Sequence, residues 1–168
     1  MRFYFFQQYK IEVALFSFAF IVRIIAFCIF LNLSVQNQFP FPTNGNDAAG
    51  YVRIAYNLIE HGVFSRESVS PYTLDSFRTP GYPIFIASIL VIFKSLLAVS
   101  IFQIFLASFS VVLLYRIMVL YAEKWVSVSA ALIFALEPGG IFLSSVLLSE
   151  VLFTFLLAFV VLHVAATK

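Results

Sequence analysis

The side chains of this chain that could carry out chemistry are concentrated in one polar segment, residues 34–82, which holds seven of the eighteen charged residues. Within it, Asp47 follows a long apolar stretch and stands where a new helix is expected to begin. A carboxylate in that position has two interpretations. It can cap the helix by accepting backbone N–H groups, or it can act as a general base that takes a proton from an alcohol. The helix dipole favours a negative charge there in both cases.

Three arginines are candidates for binding an anionic group such as a phosphate. Arg53 and Arg78 lie in the polar segment, and Arg78 is preferred because it adjoins a Pro-Gly turn. Arg23 lies in the middle of an apolar stretch, where a guanidinium costs about 2.5–3.5 kcal/mol unless it pairs or reaches water. It is therefore expected to face other helices. Its simplest partner is Glu12 or a polar residue of another helix, and binding of a lipid phosphate is the alternative.

A second acid, Glu150, stands at the start of the last apolar stretch, where it is interpreted either as a helix cap or as part of a site. Asp47 and Glu150 together would supply only part of an oxygen site for Mg²⁺ or Mn²⁺, so a divalent cation is left open and no cofactor is predicted. Glu137 precedes a Pro-Gly-Gly run, which predicts a break in a helix in preference to a catalytic acid. The single cysteine, Cys28, excludes an intramolecular disulfide.

Composition indicates that membrane helices position these residues. Hydrophobic residues make up 62% of the chain and charged residues 11%, which leaves too little polar surface to cover a globule in water. Four apolar stretches are candidates to cross a hydrocarbon core of about 30 Å. They cover about residues 11–33, 96–120, 126–146 and 151–166. The predicted fold is a single all-α integral membrane domain over residues 1–168, with four transmembrane helices and an external loop, residues 34–95, that contains interfacial helices.

Turn formers and polarity divide the external loop into parts. Residues 39–45 contain two Phe-Pro pairs and an Asn-Gly pair, which predict a turn. A helix capped by Asn46 or Asp47 is expected to run to about His61 and to lie on the membrane surface. After an irregular stretch over residues 65–78, a short helix over residues 84–93 is expected to dip into the interface, because it is too short to cross the membrane.

Lysine and arginine residues near the ends of the apolar stretches indicate the orientation of the chain. The cations expected to be cytoplasmic are Arg2, Lys10, Arg116, Lys124 and Lys168. Residues 34–82 carry three arginines against four acids, a net charge of −1, and are expected to be external. The amino terminus is thus predicted to be cytoplasmic. The overall charge of +2 does not provide the basic groove that nucleic acid binding requires.

A series of residues follows the first apolar stretch in a characteristic order. These residues are Asp47, Tyr51, Ala55, Leu58, Gly62 and the Thr-Pro-Gly-Tyr-Pro run at residues 79–83, with Pro138 and Glu150 later in the chain. The order resembles that of the GT-C class of membrane glycosyltransferases, particularly the bacterial branch similar to dolichyl-phosphate-mannose protein mannosyltransferases. The resemblance covers about residues 10–168 in order and topology.

The resemblance implies a sugar donor carried on a polyprenyl or dolichyl phosphate. The sugar would pass, with inversion, to a hydroxyl of a lipid, glycan or protein acceptor outside the cytoplasm. Asp47 is then the candidate catalytic base. The residues expected to bind substrate are Tyr51, Arg53, Arg78, Tyr82, Glu150 and Arg23. In some relatives, the acid that corresponds to Glu150 helps to bind a metal.

Members of this class usually have eight or more spans, so the chain is expected to be the amino-terminal module of such an enzyme. The bacterial branch and the Phe-rich composition favour a bacterial plasma membrane. Two other functions are left open. One is a non-catalytic four-span scaffold or assembly subunit that binds a partner subunit. The other is a component of a transporter for lipid-linked sugars, in which Arg23 would face a water-filled path.

Overall fold

The structure, a computed structural model, describes residues 2–38, 40–43 and 45–167, with side chains from residue 9 onward. Within these ranges all regular secondary structure is helical, which confirms the all-α prediction. The helices are α1 (Arg2–Asn37), α2 (Asn46–His61), α3 (Gly81–Phe93), α4 (Leu96–Val119), α5 (Lys124–Leu136), α6 (Pro138–Ser145) and α7 (Glu150–Ala166). Phe39 and Asn44 of the predicted turn, and Lys168 of the predicted cytoplasmic charges, lie outside the described residues.

Two of the described helices are long and apolar enough to cross a membrane. They are the part of α1 over Tyr9–Asn37, with 29 residues, and α4, with 24 residues. Helices α5 and α6 would add a third span if they act as one, although they meet at an angle of 52°. Helices α3 and α7 are apolar but shorter. By length and composition, the described part of the chain thus has two helices that could cross a membrane, or three if α5 and α6 act as one span, which indicates a membrane protein.

Helix α4 lies at the centre of the bundle and packs against α1, α3, α5, α6 and α7. Small side chains at these contacts let the helix backbones approach closely. The core between α1, α4 and α5 consists of Leu15, Ala19, Val111, Tyr115, Ala131 and Ala135. Near the start of α1, Glu12 accepts hydrogen bonds from Nε and Nη2 of Arg116 at 2.9 and 2.6 Å. Because Arg116 lies near the end of α4, this pair fixes the two long helices as antiparallel neighbours.

The break between α5 and α6 occurs at Glu137, as the sequence predicts. A break frees backbone groups that must find other partners inside a membrane. The Glu137 carboxylate caps α6 by accepting the N–H of Gly139 at 2.8 Å and the N–H of Gly140. On the other side of the break, Arg23 Nη1 donates to the Ala135 carbonyl of α5 at 3.2 Å. One carboxylate and one guanidinium thus provide hydrogen bonds to backbone groups on the two sides of the break.

Helices α2 and α3 form a second layer against the start of α4. Their shared core consists of Ala48, Val52, Ala55, Tyr82, Ile86, Ile89, Leu90, Val99, Val146 and Leu147. Helix α2 ends at Gly62, whose φ of 68° is the left-handed conformation that glycine adopts readily. Residues 65–80 contain no regular structure, in agreement with the predicted irregular loop. Helix α3 starts at Gly81, three residues before the predicted start at Ile84.

Candidate functional site

The candidate site is built around an ion pair that joins the start of α2 to the end of the irregular loop. Arg78 Nη2 donates to Asp47 Oδ1 at 2.6 Å. Helix α2 begins after its cap residue, Gly45, and among the described residues no side chain caps its first N–H groups. The prediction that Asn46 or Asp47 caps the helix is therefore wrong. The carboxylate of Asp47 binds a guanidinium instead, because a hydrogen bond between two charged groups is stronger than one to a neutral amide.

The two members of this pair differ greatly in exposure. The Asp47 side chain is 72% exposed, whereas the Arg78 side chain is only 5% exposed. In the described part of the chain, Asp47 Oδ2 has no hydrogen-bond donor. The site therefore presents one free carboxylate oxygen to the surroundings while a buried cation holds the other oxygen. Such an oxygen can accept a proton from a ligand that approaches from outside.

The Arg78 guanidinium is enclosed by its neighbours. A Cβ atom placed on Gly50 would lie only 2.8 Å from its Cζ and Nη2 atoms, so the group lies directly against the α2 backbone. Its Cζ atom is 5.2 Å from the centre of the Tyr51 ring. Nη1 lies 3.8 Å from Asp75 Oδ2, and it finds no hydrogen-bond acceptor among the described residues. The guanidinium is thus fixed between one helix and the loop.

Asp75 organises the loop from which Arg78 extends. Its Oδ1 atom accepts the backbone N–H groups of Phe77 and Arg78, both at 2.9 Å, and its other oxygen pairs with Arg66 Nε. Burial acts to raise the pKa of the Asp75 carboxyl, but the two N–H groups and Arg66 outweigh it and lower that pKa below its usual value. In the sequence, Asp75 stands out only as one of the four acids of residues 34–82. The signal that could have marked it is the tendency of an aspartate in a loop to accept the backbone N–H two residues further on and so form a turn.

Two tyrosines of the predicted site lie together beneath the ion pair. The rings of Tyr51 and Tyr82 meet edge to face, with centroids 5.1 Å apart. Tyr82 is buried, and its hydroxyl donates to Gln103 Oε1 at 2.5 Å. Burial, followed by the nearby Glu150 and Tyr51, raises the pKa of Tyr82 well above its usual value. Tyr82 therefore stays protonated and serves as a hydrogen-bond donor inside the protein.

Gln103 connects this tyrosine to the end of α6 and to the residue that follows it. Its Nε2 atom donates to the carbonyls of Val146 at 2.5 Å and Leu143 at 3.0 Å, with Ser144 O further away at 3.4 Å. The residue is buried in α4. Sequence reasoning missed it, although an amide within an apolar helix needs partners from other segments and is a recognisable signal.

Glu150 lies next to this cluster and at the edge of a cavity in the bundle. Its neighbour Ser149 is within 3.3 Å of the Tyr51 hydroxyl, Oγ to oxygen. Ser149 occupies the cap position of α7 that was considered for Glu150, and its side chain makes no capping hydrogen bond. The Glu150 side chain lines a cavity of about 180 Å³ together with Arg23 and Glu137. The cavity thus extends from the start of α7 to the middle of α1.

Arg23 faces the bundle, as the sequence predicts, and only 2% of the residue is exposed. Its Nη1 atom donates to the carbonyls of Ala19 at 3.3 Å and Ala135 at 3.2 Å. Its Nε atom has no acceptor within the described ranges. The prediction that Glu12 is its partner is wrong, because Glu12 pairs with Arg116. Glu12 and Arg23 are eleven residues apart on one helix, which separates them by about 16 Å along the axis.

Arg53 is the predicted site residue that lies apart from the ion pair. It is exposed on α2 and lines a different groove, of about 460 Å³, together with Tyr56, Glu60 and His61. The structure therefore brings Asp47, Tyr51, Arg78 and Tyr82 into contact. Glu150 and Arg23 share the neighbouring cavity, and Arg53 belongs to a third surface.

The site offers few ligands for a metal ion. Within residues 9–38, 40–43 and 45–167, no three histidine, cysteine, aspartate or glutamate side chains converge where they could hold one. Of the two carboxylates considered for a divalent cation, Asp47 is bound to a guanidinium, which competes with a cation for its oxygen.

Comparison with known proteins found no match for this chain among protein-family models, curated proteins or solved structures. A function must therefore be inferred from its own residues and their geometry.

Proposed function

We propose that this chain is the amino-terminal module of a GT-C glycosyltransferase that transfers a sugar from a polyprenyl-phosphate donor to a hydroxyl of a lipid, glycan or protein acceptor. The observation that carries the proposal is the exposed Asp47 carboxylate, with one oxygen held by the buried Arg78 at 2.6 Å. It lies on a helix beside a bundle of apolar helices. An exposed carboxylate beside apolar helices suits a base that must reach both a lipid-linked donor and the hydroxyl of an acceptor.

The chemistry requires one proton acceptor and one leaving group. The acceptor hydroxyl gives its proton to the free oxygen of Asp47 as its own oxygen attacks the anomeric carbon of the sugar. The bond from that carbon to the phosphate oxygen breaks, and the polyprenyl phosphate leaves with the electron pair. Attack from the opposite face inverts the anomeric configuration. Cationic side chains stabilise a leaving phosphate of this kind.

The proposed topology has four spans, with α7 as the fourth, in the plasma membrane of a bacterium. The amino terminus is cytoplasmic and Asp47 is external. The antiparallel packing of α1 and α4 supports this topology. The Glu12–Arg116 pair lies at one end of these helices, and Asp47 lies on α2, which follows the other end of α1. The positive-inside tendency then makes the Arg116 end cytoplasmic.

This orientation can be tested with single cysteines and an impermeant thiol reagent in intact cells. Ser68→Cys should react and Glu123→Cys should react only after the cells are opened, in a background where Cys28 is serine. The reverse labelling pattern would place Asp47 in the cytoplasm and remove the proposed function.

Asp47→Asn provides the test of the chemistry. The variant keeps the shape of the side chain but loses the base, so turnover of a polyprenyl-phosphate sugar by the longer, native protein in liposomes should fall about 10²- to 10⁴-fold. Glu60→Gln is the matched control, since it removes an exposed carboxylate from the same helix, and it should keep normal turnover. Equal turnover of Asp47→Asn and the unaltered protein would exclude Asp47 as the base.

A second candidate function is a component of a transporter for lipid-linked sugars. The observation in its favour is the cavity of about 180 Å³ that Arg23 lines within the bundle. A polar path beside an intramembrane arginine is expected for such a protein. Translocation of a lipid-linked sugar across liposomes without glycosyl transfer would support this alternative, and transfer without translocation would support the glycosyltransferase.

A further inference from the structure

Neighbouring groups of the protein enclose the Arg78 guanidinium. Nη2 donates to Asp47 at 2.6 Å. One face lies against Gly50, so closely that a Cβ atom there would be 2.8 Å from Cζ. The Tyr51 ring centre lies 5.2 Å away. Only 5% of the side chain is exposed. A ligand from outside therefore has little access to this cation.

Nη1 of Arg78 also faces the wrong charge for binding a phosphate. Nη1 is the buried nitrogen without a hydrogen-bond acceptor, and its nearest charged neighbour is Asp75 Oδ2, at 3.8 Å. A phosphate brought to Nη1 would meet the Asp75 carboxylate, and two anions at that separation repel each other strongly in a poorly hydrated environment. The surroundings of Arg78 suit a fixed cation between two carboxylates.

We propose that Arg78 is a positioning residue that orients the Asp47 carboxylate, and that Gly50 is required because its missing side chain leaves room for the guanidinium. The catalytic meaning of this inference rests on the proposed function, but the contact itself does not. A carboxylate that is 72% exposed would otherwise sample several rotamers. One hydrogen bond from a buried, immobile guanidinium restricts Asp47 to one of them and leaves its second oxygen free.

Gly50 offers a clean perturbation of this arrangement. Gly50→Ala retains every charged group and displaces the guanidinium through a single methyl group. It also places a better helix former within α2, so a loss of order at Asp47 would not come from a weaker helix. Gly81→Ala is the matched control for the contact, because a Cβ atom at Gly81 meets no atom within 4 Å.

Carboxyl labelling followed by mass spectrometry measures the contact without any assay of activity. With the full chain in nanodiscs, carbodiimide-activated labelling of Asp47 should rise about two- to five-fold in Gly50→Ala, the range expected for release of an ion pair with one exposed member. Arg78→Gln should show the same rise and provides a second variant. Labelling of Glu60 should stay constant in both, and Gly81→Ala should leave Asp47 labelling unchanged. Constant labelling of Asp47 in both test variants would overturn the inference, and a rise in Arg78→Gln alone would overturn the role of Gly50.

Kinetics then separate positioning from donor binding. In Gly50→Ala, kcat for transfer should fall about 10- to 100-fold, with little change in KM for the polyprenyl-phosphate sugar, since the base is misplaced while donor binding is retained. A raised KM with unchanged kcat would instead show that Arg78 binds the donor and would overturn the inference. If the unaltered protein transfers no sugar, the proposed function fails, and the labelling result still decides whether Arg78 positions Asp47.

Discussion

Replacing Gln103 by leucine tests whether this buried amide connects the α2–α3 layer to the bundle. Leucine has a similar volume but cannot accept the Tyr82 hydroxyl or donate to the carbonyls of Leu143 and Val146. Side-chain hydrogen bonds between membrane helices are worth about 0.6 kcal/mol on average and up to about 1.7 kcal/mol. Loss of three such bonds should therefore cost about 2 kcal/mol. For a chain of this length, that cost corresponds to a fall in Tm of about 4–8 °C.

The assay is thermal unfolding in detergent, followed by circular dichroism. Gln36→Leu is the matched control, because it makes the same chemical change at an exposed position of α1 and should leave Tm within about 1 °C. Tyr82→Phe removes one of the three bonds and should cost less than Gln103→Leu. Adding Tyr82→Phe to Gln103→Leu should lower stability by at most a few tenths of a kcal/mol more, since the two side chains share one interaction. An unchanged Tm in Gln103→Leu would refute this reasoning.

Two further predictions concern the ion pairs. Because the pKa of Asp75 is lowered on folding, its stabilisation of the loop should be complete above about pH 4 and be lost as the pH falls through the lower folded-state pKa. Hydrogen exchange of the Phe77 amide, corrected for its intrinsic rate, should show this loss. Asp75→Asn should remove the pH dependence of the corrected rate. A corrected rate that does not change with pH in the unaltered protein would contradict the prediction. Glu12→Gln should lower the free energy of unfolding by about 1–2 kcal/mol, less than for a fully buried pair because the Arg116 side chain is 47% exposed. Thermal unfolding measures this, with the exposed Glu123→Gln as control, and equal stability of the two variants would contradict it.

The broken helix shows how the protein accommodates charge inside an apolar bundle. Arg23 and Glu137 each bind backbone groups that the break leaves without helical partners. Because one is a cation and the other an anion, their charges attract each other, while each forms hydrogen bonds with the backbone at its own side of the break. This arrangement gives Arg23 a structural role at the break and leaves its Nε atom without an acceptor among the described residues.

The sequence was sufficient for the order of the helices and for several of their ends, because these depend on local signals. Hydropathy over more than 20 residues marks α1 and α4, and the Pro-Gly-Gly run after Glu137 marks the break. Gly62 marks the end of α2, since glycine adopts the left-handed conformation that ends a helix. Each of these signals lies within a few residues of the feature that it predicts, so no knowledge of the rest of the fold was needed.

The partners of the polar side chains could not be predicted in the same way. The Asp47–Arg78 pair spans 31 positions, and Glu12 binds Arg116 across 104 positions. From the sequence, Glu12 was one expected partner of Arg23, and capping of its own helix was one expected role of Asp47; both are the nearer choices along the chain. Neither contact forms, because a charged group selects its partner by distance and direction in space. These depend on how the helices rotate and pack against one another.

The sequence by itself thus determined that the chain is helical and apolar enough for a membrane, and that its polar chemistry is concentrated around Asp47. The tertiary structure decided which of the three candidate arginines meets that carboxylate. Arg78 is held there by the room that Gly50 leaves and by the loop that Asp75 shapes, whereas Arg53 points to another groove. The physical reason is that hydrophobic periodicity fixes which residues are buried, but only packing brings residues that are distant in sequence within hydrogen-bonding distance.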